Sequence, residues 1–194
     1  MSNFRDSFRP DELLVQVSEL LVATADSADA EIDKAVPEVL HQLREKMKMD
    51  VVFVSEFVDG QRVFRFVDRS TGAPSLGAGD SAPLETSYCQ RVVDGRLPGL
   101  VHDAASLPAS MALPKTDFRV GAHLSTPIVL PDGNTYGTLC CFSTAPNTSL
   151  RQRDLDTLRL CAQLVARKVN AAVQLKKAPD WTLEPIKDKT WQLK

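Results

Sequence analysis

Four cysteines are the most obvious candidates for chemistry in this sequence. They are Cys89, Cys140, Cys141 and Cys161. No C-x-x-C motif or Cys/His pair has zinc spacing, so we predict no metal site. Cys140 and Cys141 are neighbours on a predicted strand and point to opposite faces, which disfavours a disulfide between them. We expect Cys140, Cys141 and Cys161 to be small buried hydrophobes.

Cys89 has a different predicted setting, the first turn of a helix. Ser87 is a suitable N-cap, Gln90 three residues later can complete a capping box, and Gly95 ends the helix. Unpaired N–H groups and the helix dipole favour a thiolate in a first turn. Cys89 is therefore either the most reactive thiol of the four, if it is exposed, or, if it faces inward with the neighbouring valines, an inert core residue.

Three further polar residues have more than one interpretation. The two-residue period of a strand places His123 and Ser125 on one face. His123 is then a hydrogen-bonded core residue, a ligand contact or a haem ligand. Asp103 either caps the segment 104–112 or directs its carboxylate towards a ligand.

These side chains depend on two predicted hairpins for their positions. The predicted strands are residues 51–58, 63–67, 124–130 and 136–142. Residues 59–62 form the first turn, with an Asp-Gly signal, and residues 131–134, Pro-Asp-Gly-Asn, form the second. The second pair lacks strict polar and apolar alternation, which favours the middle of a sheet covered on both faces.

Helical spacing of apolar residues appears at 11–25, 32–47 and 151–175. Pro37 must lie in a first turn or kink its helix. The last helix has apolar positions off its main stripe, which need a second partner: the N-terminal helix, in the same subunit or across a dimer interface. Those positions are Leu160, Leu164, Ala171 and Leu175.

The order of elements predicts an α+β fold. We expect a central antiparallel sheet of about five to six strands with the terminal helices packed on one face. The segment 70–118, which begins with a surface loop at 70–83, covers the other face and walls off a pocket. The expected divisions are an N-terminal extension at 1–10, the domain at 11–175 and a C-terminal tail at 176–194, which carries both tryptophans.

Composition excludes several classes of partner. The formal net charge is −2, and no basic run is interleaved with aromatics, so nucleic acid is not an expected partner. No apolar run reaches the roughly 20 residues that span a bilayer, and no signal-peptide core is present at the N-terminus. We expect a cytoplasmic protein with no membrane contact.

Three stretches resemble the GAF domain, in the bacterial signalling form found beside cyclic-di-GMP enzymes and kinases. They are YCQRVVDGRLPGLVHDA at 88–104, GAHLSTPIVLPDGNTYGTLCCFS at 121–143 and RDLDTLRLCAQLVARKV at 153–169. The resemblance implies a sensory module rather than an enzyme. It implies that a small molecule enters the pocket, and that the terminal helices pass the change through a homodimer to a downstream signalling protein.

Under this interpretation seven residues are candidate ligand contacts: Tyr88, Cys89, Asp103, Phe118, His123, Ser125 and Cys141. The cofactor or ligand stays unidentified. The Asn-Lys…Phe…Asp-Glu signature of cyclic-nucleotide-binding members is missing, and so is a Cys-His pair of the type that anchors bilin.

Two alternatives belong to other functional classes. A branch of the same fold reduces free methionine sulfoxide with pocket cysteines, and Cys89 and Cys141 can be assigned as nucleophile and resolving thiol. The other alternative is a dimerisation scaffold whose pocket is filled by its own side chains.

Overall fold

The computed structural model describes residues 30–177 of the chain. The predicted helix at 11–25, the extension at 1–10 and the tail from residue 178 lie outside this part. Its helices and strands follow in chain order: α1 Ala30–Met47, β1 Val51–Val58, β2 Gln61–Arg69, β3 Ser81–Pro83, α2 Tyr88–Val93, β4 Leu100–Val101, β5 His123–Val129, β6 Thr135–Phe142 and α3 Gln152–Lys177.

One antiparallel sheet organises these elements, in the order β3-β2-β1-β6-β5-β4. The central pair joins β1 to β6, with Val51 opposite Phe142 and Ser55 opposite Thr138. The chain therefore returns to the middle of the sheet after the long segment between β2 and β5. The predicted α+β class with six strands is confirmed.

Local turn chemistry produces both hairpins. Asp59 and Gly60 have φ of 48° and 73°, the two positive values that a two-residue I′ turn requires. In the second turn Gly133 has φ 84°, and the Asp132 carboxylate accepts a hydrogen bond from the Asn134 backbone at 3.0 Å. β2 extends from Gln61, two residues before the predicted start.

Gly137 allows the central strands to approach closely. A Cβ atom at this position would lie 1.9 Å from the Ser55 carbonyl oxygen, far inside van der Waals contact. The β1 register shifts beside this point, between Val54 and Ser55. Glycine is therefore needed here for steric reasons.

Helices α1 and α3 cover one face of the sheet and enclose the main core. This core includes Leu43, Leu139 and Leu158, each fully buried. Leu164, predicted to need a second partner, is buried in the same core, and Leu160 packs against it. Since α1 and α3 contact each other within the chain and share this core, Leu160 and Leu164 find at least part of their partner there. Pro37 lies within α1, beyond its first turn, and is exposed.

The segment between β2 and β5 covers the other face, as predicted. The expected loop at 70–83 ends in a short strand, β3, which pairs with the outer edge of β2. Pro83 is tolerated there because an edge strand leaves one side unpaired. Residues 104–112 form two short 3-10 turns, Ala104–Ser106 and Ala109–Met111.

Within residues 30–177, no helix has both the length and the apolarity to cross a bilayer.

Candidate functional site

A small cavity lies between the sheet and its covering segment. Its volume is about 40 Å³, room for one or two water molecules. Strands β1, β2, β5 and β6, helix α2 and two loops supply its walls. The lining residues are Phe53, Arg62, Phe64, Leu76, Tyr88, Cys89, Thr116, Phe118, Val120, His123 and Phe142.

Helix α2 places Cys89 at this cavity. The Ser87 side chain accepts a hydrogen bond from the Gln90 backbone at 3.1 Å, so the predicted N-cap is confirmed. The reciprocal half of the capping box is not formed, because the Gln90 amide points to the Asp94 carboxylate at 3.5 Å. Gly95, at φ 76°, follows the C-cap and turns the chain away.

Cys89 is fully buried from solvent yet faces the cavity. Its Sγ lies 3.4 Å from the Cys140 Sγ and 3.6 Å from the Arg62 Nη1, which donates to it. The hydrogen bond from the Cys140 thiol and the charge of Arg62 lower the pKa of Cys89 against the opposing effect of burial. Cys89 therefore faces inward, as in the second of its two alternatives, but it borders a cavity rather than only apolar side chains.

Cys140 lies behind Cys89, on β6. Its Sγ is 2.9 Å from the Ser125 hydroxyl and 3.2 Å from the Thr138 hydroxyl, which in turn lies 2.9 Å from Ser55 Oγ. Burial, and then the neighbouring Cys89, raise the pKa of the Cys140 thiol. Cys140 is buried as predicted, but it belongs to a polar hydrogen-bonded group rather than to a purely apolar core.

Arg62 brings a positive charge to the cavity. Its guanidinium carbon lies 4.6 Å from the centre of the Phe64 ring and 5.8 Å from that of Phe53, both at cation–π distance. Its Nε atom is buried and has no hydrogen-bond partner among the described residues. A buried N–H donor without an acceptor is unusual in a native structure.

His123 is the second polar group at the cavity with an unpaired atom. The residue is buried, its ring centre lies 5.3 Å from that of Tyr88, and in the described part of the chain its Nδ1 has no partner. Burial, followed by the charge of Arg62, lowers the pKa of His123 to about 4. The imidazole is therefore neutral at physiological pH, with one nitrogen to donate and one to accept.

Comparison with known proteins identifies the family. The sequence model of the GAF domain matches residues 29–170, well over half of the chain. The chain belongs to the GAF domain family. No curated protein matches the sequence.

Solved structures share the fold of this GAF domain at low sequence identity. The GAF domain of an Acinetobacter phosphoenolpyruvate-protein phosphotransferase is 15% identical with a TM-score of 0.62, over 85% of this chain and 97% of that one. A methyl-accepting chemotaxis protein fragment is 17% identical with a TM-score of 0.61, over 86% and 99%. The chromophore-binding domain of a bacteriophytochrome from R. palustris is 17% identical with a TM-score of 0.60, over 85% and 62%.

Four of the seven predicted contacts lie at the cavity between the sheet and its covering segment. Tyr88, Cys89, Phe118 and His123 line it. Ser125, two residues after His123 on β5, does not line this cavity and contacts Cys140 instead.

The other two predicted contacts lie elsewhere. Asp103 caps the first 3-10 turn by accepting from the Ala105 backbone at 3.1 Å. Cys141 packs in the main core under α1 and α3, where burial raises its pKa. The expected pairing of Cys89 with Cys141 is therefore corrected: alternation along β6 presents Cys140, not Cys141, to Cys89.

Sequence reasoning missed Arg62 and Cys140 as parts of this site. Arg62 was assigned to a turn, although it lies on β2 with Phe64 on the same face. Limiting the turn to Asp59 and Gly60 would have placed Arg62 on the strand. The contact between Cys140 and Cys89 joins elements far apart in sequence and has no local signal.

Among the described residues, no group of three or more His, Cys, Asp or Glu side chains is placed to hold a metal ion.

Proposed function

We propose that this GAF domain is a sensory module that binds a small molecule in the cavity between the sheet and its covering segment. The observation that supports this most is the pair of unpartnered buried atoms, Arg62 Nε and His123 Nδ1, at one cavity. Leaving such atoms unpaired costs about 1–3 kcal/mol each. A ligand that supplies their partners would recover this energy, which gives it affinity for the site.

The unpaired groups define the chemistry of the ligand. Arg62 offers a charged N–H donor, which favours a carboxylate or a carbonyl oxygen. Neutral His123 can either donate to or accept from a second polar group of the same ligand. Phe118 and Phe142 stack at 5.1 Å between ring centres and add an apolar surface beside these groups. The ligand class is therefore a compact molecule with an acceptor group next to an apolar part.

Any ligand larger than one or two waters requires the walls to move. Leu76, Thr116 and Phe118 belong to the covering segment rather than to the sheet, so they are the walls that can shift with least loss of core packing. Opening by displacement of this segment would itself be the conformational change that a sensor needs.

The sheet connects this cavity to the terminal helices. On β5, His123 faces the cavity while its neighbour Leu124 packs in the core under α3, the helix that contacts β5 most. A displacement of β5 on ligand binding would therefore reach α3. We propose that α1, α3 and the apolar repeat at 11–25 relay it through a homodimer to a downstream signalling protein.

Thermal melting of the full chain against small carboxylates, amides, purines, amino acids and tetrapyrroles tests the proposal. Binding to the folded state raises the apparent melting temperature, and we expect at least one acceptor-bearing compound to do so. Arg62→Met should remove the shift because it removes the donor and keeps an apolar stem. Arg65→Met on the same strand is the matched control, since Arg65 pairs with Glu56 away from the cavity.

Two outcomes contradict the proposal. If no compound shifts the melting temperature, the scaffold alternative is favoured. If Arg62→Met and Arg65→Met respond alike, binding occurs elsewhere. Incubation with methionine sulfoxide and a thiol reductant tests the enzyme alternative, and we expect no turnover.

A further inference from the structure

Cys89 and Cys140 are a pair of thiols that the fold brings into contact from α2 and β6. They are 51 residues apart in sequence, yet their sulfur atoms are 3.4 Å apart. A disulfide has an S–S distance of about 2.05 Å, so the sulfurs must approach by about 1.4 Å to form one. Cys141 and Cys161 lie across the sheet, in the main core, and have no access to this pair.

The two sulfurs have different surroundings. Cys89 lines the cavity and lies beside the Arg62 guanidinium, which stabilises a thiolate. Cys140 does not line the cavity, and the hydroxyls of Ser125 and Thr138 hold its thiol from behind. A small reagent in the cavity therefore meets Cys89 first and Cys140 only through it.

We propose that Cys89 and Cys140 form a redox site, which hydrogen peroxide entering the cavity converts to a disulfide. The Cys89 thiolate attacks one peroxide oxygen, so an S–O bond forms, the O–O bond breaks and the departing hydroxide becomes water with the proton that Cys89 released on ionisation. The Cys140 sulfur then attacks the Cys89 sulfur, the S–S bond forms, and the second hydroxide leaves with the Cys140 proton as water. Two thiols lose two electrons and one peroxide is reduced to two waters.

In its closed form, with no ligand displacing the covering segment, the cavity restricts the oxidant to a small one. A volume of about 40 Å³ accommodates hydrogen peroxide but not a hydroperoxide with a bulky alkyl group. Arg62, whose Nε–H is unpaired among the described residues, lines the same space and can donate to a peroxide oxygen. The other three cysteines do not border the cavity, so the reaction is confined to Cys89 at its first step.

Oxidation would tie one wall of the cavity to the sheet. Helix α2, from Tyr88 to Val93, supplies both Tyr88 and Cys89 to the wall. A bond from Cys89 to Cys140 fixes this short helix to β6, and a dithiol reductant releases it. The site goes beyond the proposed ligand binding and does not depend on it, because it needs only peroxide and the two thiols.

Treatment of the reduced full chain with equimolar hydrogen peroxide, followed by alkylation and peptide mass spectrometry, tests the inference. We expect the Cys89 and Cys140 peptides to be joined, with Cys141 and Cys161 alkylated. In Cys140→Ser, the Cys89 sulfenic acid should persist and be trapped when the protein is unfolded in urea containing dimedone, a reagent too large for the folded cavity. Cys141→Ala is the matched control and should form the disulfide at the wild-type rate.

Three results with the wild-type protein overturn the inference, so none of them needs a variant that folds. One is wild-type protein whose four thiols are oxidised to the same extent, or whose bond joins another pair. Another is equal rates with hydrogen peroxide and with tert-butyl hydroperoxide in the absence of ligand, because exclusion by the closed cavity should slow the bulky reagent at least about tenfold. A dimedone adduct on Cys140 rather than Cys89 in wild type would reverse the assigned roles and also contradict the proposal.

Discussion

The two faces of this sheet bury different kinds of chemistry. Under α1 and α3 the core is apolar, and Cys141 acts there as a small hydrophobe. Under the covering segment, Cys140, the preceding residue on the same strand, contacts two hydroxyls and a second thiol. The helix-covered face is therefore packed by the larger apolar core, while the face under the covering segment combines smaller apolar clusters with polar groups that packing alone does not require.

Truncation in the helical core should have the largest effect. Leu158→Ala removes a fully buried side chain, and we expect unfolding free energy to fall by about 2–5 kcal/mol. Leu76→Ala, on the cavity wall, should cost much less because that residue is only partly buried. Urea denaturation of both variants measures the two losses of unfolding free energy, and equal losses would contradict the assignment of the larger apolar core to the helix-covered face.

Acid should weaken the cavity face through His123. Its pKa is about 4 in the folded protein against 6.5 for the free group, so the unfolded chain binds more protons between these values. Stability is lost as pH falls from 6.5 towards 4, by about 1–2 kcal/mol between pH 7 and pH 5. His123→Leu should remove this part of the loss, whereas an unchanged pH profile would show that His123 is not buried in neutral form.

The adjacent cysteines give the finest test of the difference. Cys141→Ser places a hydroxyl among apolar side chains and should cost about 1–2 kcal/mol. Cys140→Ser finds Ser125 and Thr138 as partners and should cost less than about 1 kcal/mol. Urea midpoints compare the two, and a larger loss at Cys140 would contradict the assigned environments.

Local sequence signals predicted the fold well because the hairpins depend on their own turns. The Asp59-Gly60 and Pro131–Asn134 turns determined both strand pairs, and Ser87 marked the start of α2. The residues that line the cavity were less predictable, since they depend on how α2 packs against β6. His123 and Ser125 were found from the strand period, which is local, but the partner of Cys89 was assigned to the wrong one of two adjacent residues.

The central claim, that the loop-covered face binds a small acceptor-bearing molecule, is tested most directly at Arg62 Nε. Nuclear magnetic resonance of ¹⁵N-labelled arginine side chains reports on this N–H group with and without a compound that raises the melting temperature. We predict that the Arg62 signal shifts on titration while that of Arg65, already paired with Glu56, stays in place. A saturating compound that leaves the Arg62 signal unmoved would contradict the account.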